Sequence, residues 1–292
     1  MPIATITEDE SRRQEAAALQ NGFYWREVDG VRALVCAPLE AAGFTNAFST
    51  RLGGVSPMPT DALNLAGFND DTAANIHKNR RRFLKLFPGE WTLTGCWQKH
   101  GADVRAVQNL EEARQKPGVL GDEEYCDALI SRTPKILLAI KTADCVPVLL
   151  CDPNTGAFAA IHAGWRGTVA AIVSGTVERL KVEYGARPED LHAAIGPAAN
   201  ACCYEVGSEV IDRFKARFPP ADHLFMPTRD GHARIDLQRA NLDQLTTAGL
   251  LLERIHTAPL CTMCHTELFF SYRREKSIQG CVGRLMSVIG RR

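Results

Sequence analysis

The stretch TADCVPVLLCDPNTGAFAAIHAGW, residues 142–165, holds two apolar runs, 146–151 and 157–162, on either side of Asp152-Pro153-Asn154-Thr155. Short apolar runs flanking a turn-forming set read as two antiparallel strands joined by a tight loop. A symmetric four-residue loop pairs Cys151 with Gly156 and carries Cys145 directly opposite His162. Directly opposed residues project on one face with Cβ atoms about 4.5–5.5 Å apart, close enough to share a metal ion. A thiolate and an imidazole suit a borderline-soft ion such as zinc, which in catalytic sites keeps three protein ligands and one open position. A slip of one residue would send the two side chains to opposite faces. Pro147 interrupts the ladder and points to an edge strand or a bulge. His100, in CWQKHGADV, follows a short apolar segment and precedes Gly-Ala-Asp, which makes it available as a third ligand. The residues alone leave the bland alternative open, with Cys145 a small buried hydrophobe and His162 a strand-end histidine.

Upstream, ILLAIKT (136–142) reads as another strand. Helices are predicted over about 71–87, capped by Asp70 or Asp71 and stopped by Pro88-Gly89, and over 168–184, stopped by Gly185. Two more fit 208–218 and 236–248, and ELFFSYRR (267–274) is strand-like. Strands that cluster and then alternate irregularly with helices predict an α+β fold of mixed sheets. Residues 1–20 are polar and expected to be flexible, with 21–292 forming a single domain. The segment 49–71, rich in Gly, Pro and Asn, is a long loop of the kind that carries function.

The 34 lysines and arginines balance 34 aspartates and glutamates, so net charge supports neither a nucleic-acid nor a membrane-surface partner. The basic run Lys78, Arg80, Arg81 and Arg82 is expected to be a solvated helix face. No apolar stretch reaches the ~18 residues of a membrane span, and the polar start lacks a signal-peptide pattern. A cytoplasmic location is therefore expected, with the ten cysteines reduced. CTMCH (261–265) spells a c-type haem attachment string, but no export route is visible, and Cys261 and Cys264 read as a packed thiol pair. Adjacent Cys202 and Cys203 are not expected to bridge in that compartment. Neither the P-loop nor the dinucleotide fingerprint is present.

The motifs STRLGGVS…LNL (49–65), QKHGADV (98–104), KTADCVPVLLCD (141–152), IHAGWRGT (161–168), AAIGPAANACCYEVGSEV (193–210) and CTMC…FFSYRR (261–274) occur in order. Together they resemble the purine nucleoside phosphorylase family formerly described as multicopper polyphenol oxidases or laccase-domain (YfiH-like) proteins, from about residue 40 onward. The resemblance implies a four-layer α/β/β/α arrangement of mixed sheets and a zinc ion held by His100, Cys145 and His162. It also implies phosphorolysis of adenosine, inosine and S-methyl-5′-thioadenosine, together with adenosine deamination. Purine nucleosides and phosphate would be the partners of a monomer or weak homo-oligomer.

Cys145, Asp144 and His162 are the catalytic candidates, Asp144 as an orienter or proton carrier beside a ligand. Arg166, opening a helix, and Arg51, in a loop that could close on substrate, suit phosphate. Asn64 and Arg273 join them as substrate or phosphate ligands on the strength of the resemblance. One departure is the longer turn EKSIQGCV before Gly283-Arg284. Three other readings compete. A copper-dependent phenol oxidase needs several histidine clusters, against eight histidines and no His-x-His pair. A metal-free cysteine hydrolase would use Cys145 and His162 alone. The third is an editing factor for peptidoglycan precursors.

Overall fold

Side chains alternate between the two faces of a strand, and along Ile136–Thr142 both faces are apolar. Leu138 and Ile140 enter one core while Leu137 and Ala139 enter another. The neighbouring hairpin repeats the pattern, with Leu149 and Phe158 on the shared core and Val148, Leu150 and Ile161 on a third. Strands buried on both faces belong to stacked sheets covered by helices.

The computed structural model describes residues 7–58, 60–66, 71–114 and 125–292. One six-stranded sheet runs Phe23–Val28, Val31–Cys36, Phe44–Ser49, Leu285–Arg291, Ile136–Thr142, Thr92–Thr94. A second runs Ile255–Thr257, His192–Ile195, Val146–Cys151, Phe158–Ala163, Ala128–Ser131, Val104–Ala106. Both are antiparallel within; the first takes a parallel strand, Thr92–Thr94, at one edge, and the second takes parallel strands at both. Leu34, Phe48, Ile140, Leu149 and Phe158 fill the space between them. Helix Ala73–Leu84 covers the outer face of the first sheet through Phe83. Helices Ile172–Tyr184, Ser208–Arg217 and Leu237–Thr247 cover that of the second through residues such as Val173, Phe214 and Leu245. The result is the four-layer α/β/β/α mixed-sheet fold, with a small sheet of Glu205–Gly207, His232–Ile235 and Phe225–Arg229 added at one side.

Several local expectations are corrected. In the central hairpin Cys151 pairs with Phe158, and Pro147 with His162. Asp152 belongs to the ladder, its N–H donating to the Ala157 carbonyl at 2.8 Å, and Gly156 takes the left-handed turn position at φ +75°. The register is thus two residues from the predicted one. A slip of two preserves every face, so Cys145 still projects on the His162 side, as a diagonal neighbour. Pro147 lies in a central strand, near its start.

The predicted 168–184 helix is two, Trp165–Val169 and Ile172–Tyr184, broken where Ala171 takes φ +60°. ELFFSYRR is no strand. Ser271 caps a helix, Tyr272–Gln279, its Oγ accepting the Arg274 N–H. The N-terminal segment carries the helix Glu8–Gln20. Its polar side chains dock it: the Gln14 carbonyl accepts the Cys261 N–H at 3.1 Å, and Glu15 accepts the Trp25 indole N–H at 2.6 Å. The basic helix face is only partly solvated, since Arg80 and Arg82 donate to the carbonyls of Ala66 and Gly54. Among the described residues no helix is long and apolar enough to cross a membrane.

Candidate metal centre

The chain crosses from the first sheet to the second at Ala143-Asp144-Cys145, between strands Ile136–Thr142 and Val146–Cys151. Asp144 makes this turn with φ +92°. His162 arrives from the neighbouring strand, and His100 from the loop after Thr92–Thr94. Gln98 docks that loop on the first sheet, its amide pairing with the Lys141 backbone at 2.7 and 2.8 Å. The ligand atoms of His100, Cys145 and His162 all lie within 4.8 Å of one another. The two imidazoles meet edge to face, ring centroids 4.9 Å apart. Gly164 makes room for this approach: a Cβ there would stand 3.0 Å from the Cys145 sulfur and 3.1 Å from the His100 ring.

A fourth residue, absent from the sequence-derived set, holds the centre together. Asp127 lies just before the adjoining strand Ala128–Ser131, its carbonyl accepting the His162 N–H at 2.7 Å, and its Oδ1 lies 2.7 Å from His162 Nδ1. The same carboxylate accepts backbone N–H groups from Lys99, His100 and Gly101 at 3.2, 2.9 and 2.7 Å. Asp127 therefore shapes the loop that presents His100 and fixes the His162 ring with Nε2 free, as an orienting carboxylate does for a metal-bound histidine. Burial would push Asp127 up, but the His162 ring and these N–H donors outweigh it and hold the carboxyl below its ordinary range. Burial would likewise push Cys145 up, yet the two histidines bring its thiol down to about 6. Facing that sulfur and Asp127, His162 rises to about 9 despite its burial.

The donor set fits an ion. One sulfur and two ring nitrogens converge, one ring is oriented from behind, and half-buried Cys145 and exposed His100 leave a side open. This is the ligand chemistry of a catalytic zinc site with three protein ligands and an open fourth position, and a His–Cys–His trigon also accommodates copper. Among the described residues, the only other converging set of potential metal ligands is made of four cysteines.

The three ligands open into a cavity of about 570 Å³, within the usual range for small-molecule sites. Lys141, Arg166, Arg273 and Arg284 contribute cationic walls, and Trp97, Trp165, Tyr204 and Tyr272 aromatic ones. Arg166 lies over the Trp165 ring at 4.3 Å, and Arg273 over Tyr204 at 5.0 Å. Asp144 is buried on the cavity floor. Its two carboxylate oxygens accept the Thr262 hydroxyl and the Arg273 N–H, each at 2.7 Å, and burial pushes its carboxyl up.

Two expected ligands are placed elsewhere. The Arg51 guanidinium is buried, pairs with Glu275 at 2.8 Å, donates to the carbonyls of Met58 and Thr266 at 2.8 Å, and lies over Phe270. It lines a different cavity, with Gly53, Thr266 and Glu275. Asn64 is fully buried, its Oδ1 accepting the N–H groups of Ala66 and Arg284. Both brace the 49–66 segment; neither lines the cavity that holds the three ligands.

Residues 45–292 match the family described as multi-copper polyphenol oxidoreductase laccase. The chain belongs to this family. Within it, a protein of Geobacillus stearothermophilus named purine nucleoside phosphorylase YlmD is 35% identical over 89% of this chain and 94% of its own length. A purine nucleoside phosphorylase of Deinococcus radiodurans is 39% identical, covering 84% of this chain and 88% of its own. The crystal structure of YlmD from Geobacillus stearothermophilus superimposes with a TM-score of 0.82 at 33% identity, over 93% of this chain and 99% of that one. The relatives' names place a purine nucleoside phosphorylase type of enzyme within this laccase-like family.

Proposed function

We propose that the protein is a zinc-dependent purine nucleoside phosphorylase whose ion is held by His100, Cys145 and His162. One observation carries this reading: the three ligands open into the cavity that also gathers four cationic side chains and four aromatic ones. Phosphorolysis breaks the bond between the purine nitrogen and the ribose C1′ and forms a bond from C1′ to a phosphate oxygen. The products are free base and ribose 1-phosphate. The phosphate needs cations, and Arg166 and Arg273 offer the planar fork that matches it, with Lys141 and Arg284 beside them. The purine needs a flat apolar contact, which Trp97, Tyr204 or Tyr272 provides by stacking. Asp144 holds the Arg273 backbone against the cavity floor. When bound, zinc supplies a fixed positive charge and an open coordination position beside the substrate.

Adenosine, inosine and S-methyl-5′-thioadenosine are the substrates this reading assigns, in the cytoplasm. Adenosine deamination is a second reading, supported by the open side of a three-ligand centre and by a buried carboxyl, Asp144, whose raised affinity for a proton suits it to carry one. His100 counts against a metal-free cysteine hydrolase, because a nucleophile–base pair uses only Cys145 and His162.

Product analysis from adenosine tests the proposal. Adenine and ribose 1-phosphate, formed only with phosphate and lost in Cys145→Ala, are expected. Inosine formed at the same rate with or without phosphate, and no adenine, would replace phosphorolysis by deamination. Turnover of phenols alone, dependent on added copper, would sink both.

A further inference from the structure

Four sulfurs converge away from the candidate metal centre. Cys202 and Cys203 lie in the turn after strand His192–Ile195, and Cys261 and Cys264 in the loop after strand Ile255–Thr257. All four sulfur atoms lie within 4.8 Å of one another, the Cys264 sulfur 3.1 Å from that of Cys203 and 3.6 Å from that of Cys202. The pairing of Cys261 with Cys264 expected from the sequence is therefore half of the arrangement. Four thiolates on a tetrahedral ion with bonds of about 2.3 Å would sit about 3.8 Å apart, which is the scale of this cluster.

Backbone contacts tie the two cysteine loops to each other. Ala198 bridges to Cys261, and the Thr262 N–H donates to the Ala198 carbonyl at 2.9 Å, which ties the two loops. Cys261-Thr-Met-Cys264 closes a turn, the Cys264 N–H reaching the Cys261 carbonyl at 3.1 Å. Two residues between cysteines is the spacing of structural zinc loops. In the other loop the Cys203 and Tyr204 N–H groups both donate to the Asn200 carbonyl at 2.9 Å, a tight turn that places adjacent sulfurs on one side. The surroundings suit a negatively charged tetrathiolate. The Asn200 N–H approaches the Cys261 sulfur at 3.5 Å, and Arg234 and Arg274 donate to the carbonyls of Cys202 and Met263 at 3.0 and 2.8 Å. Cys261 is buried and the other three are partly so.

We propose that Cys202, Cys203, Cys261 and Cys264 form a second, structural metal site for a thiolate-preferring ion, zinc or ferrous iron. A tetrahedral four-sulfur set selects these ions, and a closed set leaves no position for substrate. The site acts on the cavity by position. Thr262, between two of the ligands, donates to Asp144, and Arg274 donates to the Met263 carbonyl from the helix that carries Tyr272 and Arg273. The ion fastens the loop on which the cavity floor rests.

Metal analysis of the full chain tests this. Cys145→Ala, which removes a ligand of the other centre only, is expected to retain one ion per chain, and Cys264→Ser in that background to lose it. Cobalt-loaded Cys145→Ala is expected to show the intense sulfur-to-cobalt absorption of a tetrathiolate. Zinc or iron in the purified protein satisfies the proposal and identifies the ion. Thiol titration of Cys145→Ala protein gives a second readout, free of the other centre's thiol: reactive thiols should increase by up to four when a strong chelator is added. Cys145→Ala protein that binds no ion, thiols that react equally fast with and without chelator, or a disulfide among the four cysteines in protein kept under reducing conditions would each overturn it.

Discussion

At the scale of single residues, the ligands and their support differ in how openly the sequence declares them. Cys145 and His162 follow from strand parity, since any even register keeps them on one face. His100 rests on resemblance, because its place depends on a loop pinned by Gln98 and Asp127 far along the chain. Asp127 was not legible at all. It is a lone acid before an apolar run, and only the pairing of the strand that follows it with that of His162 gives it a partner. Asp127→Asn should weaken metal binding at the proposed centre about 10- to 100-fold, the usual effect of losing an orienting carboxylate. Competition against a chromophoric chelator measures this, and unchanged affinity would mean that the ring is held by packing alone. Gly164→Ala should also cost metal affinity while leaving the fold intact. The added methyl crowds the Cys145 sulfur and the His100 ring, not the sheets, so metal content should fall while the unfolding midpoint of the metal-free protein barely moves.

At the scale of elements, the apolar strands and amphipathic helices of the middle of the chain were readable, and the misreadings have physical causes. The hairpin loop shifted because Asp152 joins the ladder while its carboxylate accepts the Asn154 N–H and the Thr155 hydroxyl. The Asp29-Gly30 turn between Phe23–Val28 and Val31–Cys36 is a plain hairpin signal in the sequence, and the structure bears it out. The segment 267–274 looked like a strand because Phe269 and Phe270 are apolar, yet they are buried as the lead-in to a helix capped by Ser271. That helix is also anchored by Glu275, which accepts the Ser271 N–H and pairs with Arg51 at 2.8 Å, both side chains under a tenth exposed. Removing one partner of a buried pair leaves the other charge uncompensated, at a cost of about 3–5 kcal/mol. Glu275→Ala should lower unfolding stability by that order in denaturant titration. Arg51→Met with Glu275→Leu should recover part of it, because the carbonyls of Met58 and Thr266 and the Ser271 N–H still lose their partners. Equal loss in the single and double variants would show that the two side chains act through packing and not as a pair.

At the scale of the whole molecule, four layers place the candidate metal centre where the chain passes between sheets, and they concentrate charge that composition conceals. A net charge of zero coexists with a cavity walled by Lys141, Arg166, Arg273 and Arg284. Lys141 sits on the strand of the first sheet nearest the crossing, with its ammonium 5.5 Å from the centre of the Trp97 ring. Burial disfavours its charged form, Arg80 and Arg284 repel it, and the Cys96 thiol opposes them too weakly to prevent a fall below the ordinary lysine value of 10.5. The sign follows directly. A lysine is charged below its pKa, so a lowered pKa means that the charge disappears at a lower pH than in a free lysine. Without phosphate, that charge opposes folding, and stability should rise as the pH climbs through the lowered pKa. With phosphate bound beside the ammonium the balance reverses, because the anion favours the charged form. The apparent KM for phosphate should therefore increase on the alkaline side, beginning below pH 10.5. Lys141→Arg keeps its charge throughout and should remove that rise, while Lys141→Met should raise the phosphate KM at neutral pH and flatten its pH dependence. Steady-state kinetics at varied phosphate and pH measure all three. A wild-type alkaline rise that survives unchanged in Lys141→Met would assign it to another group and place phosphate on the arginines alone.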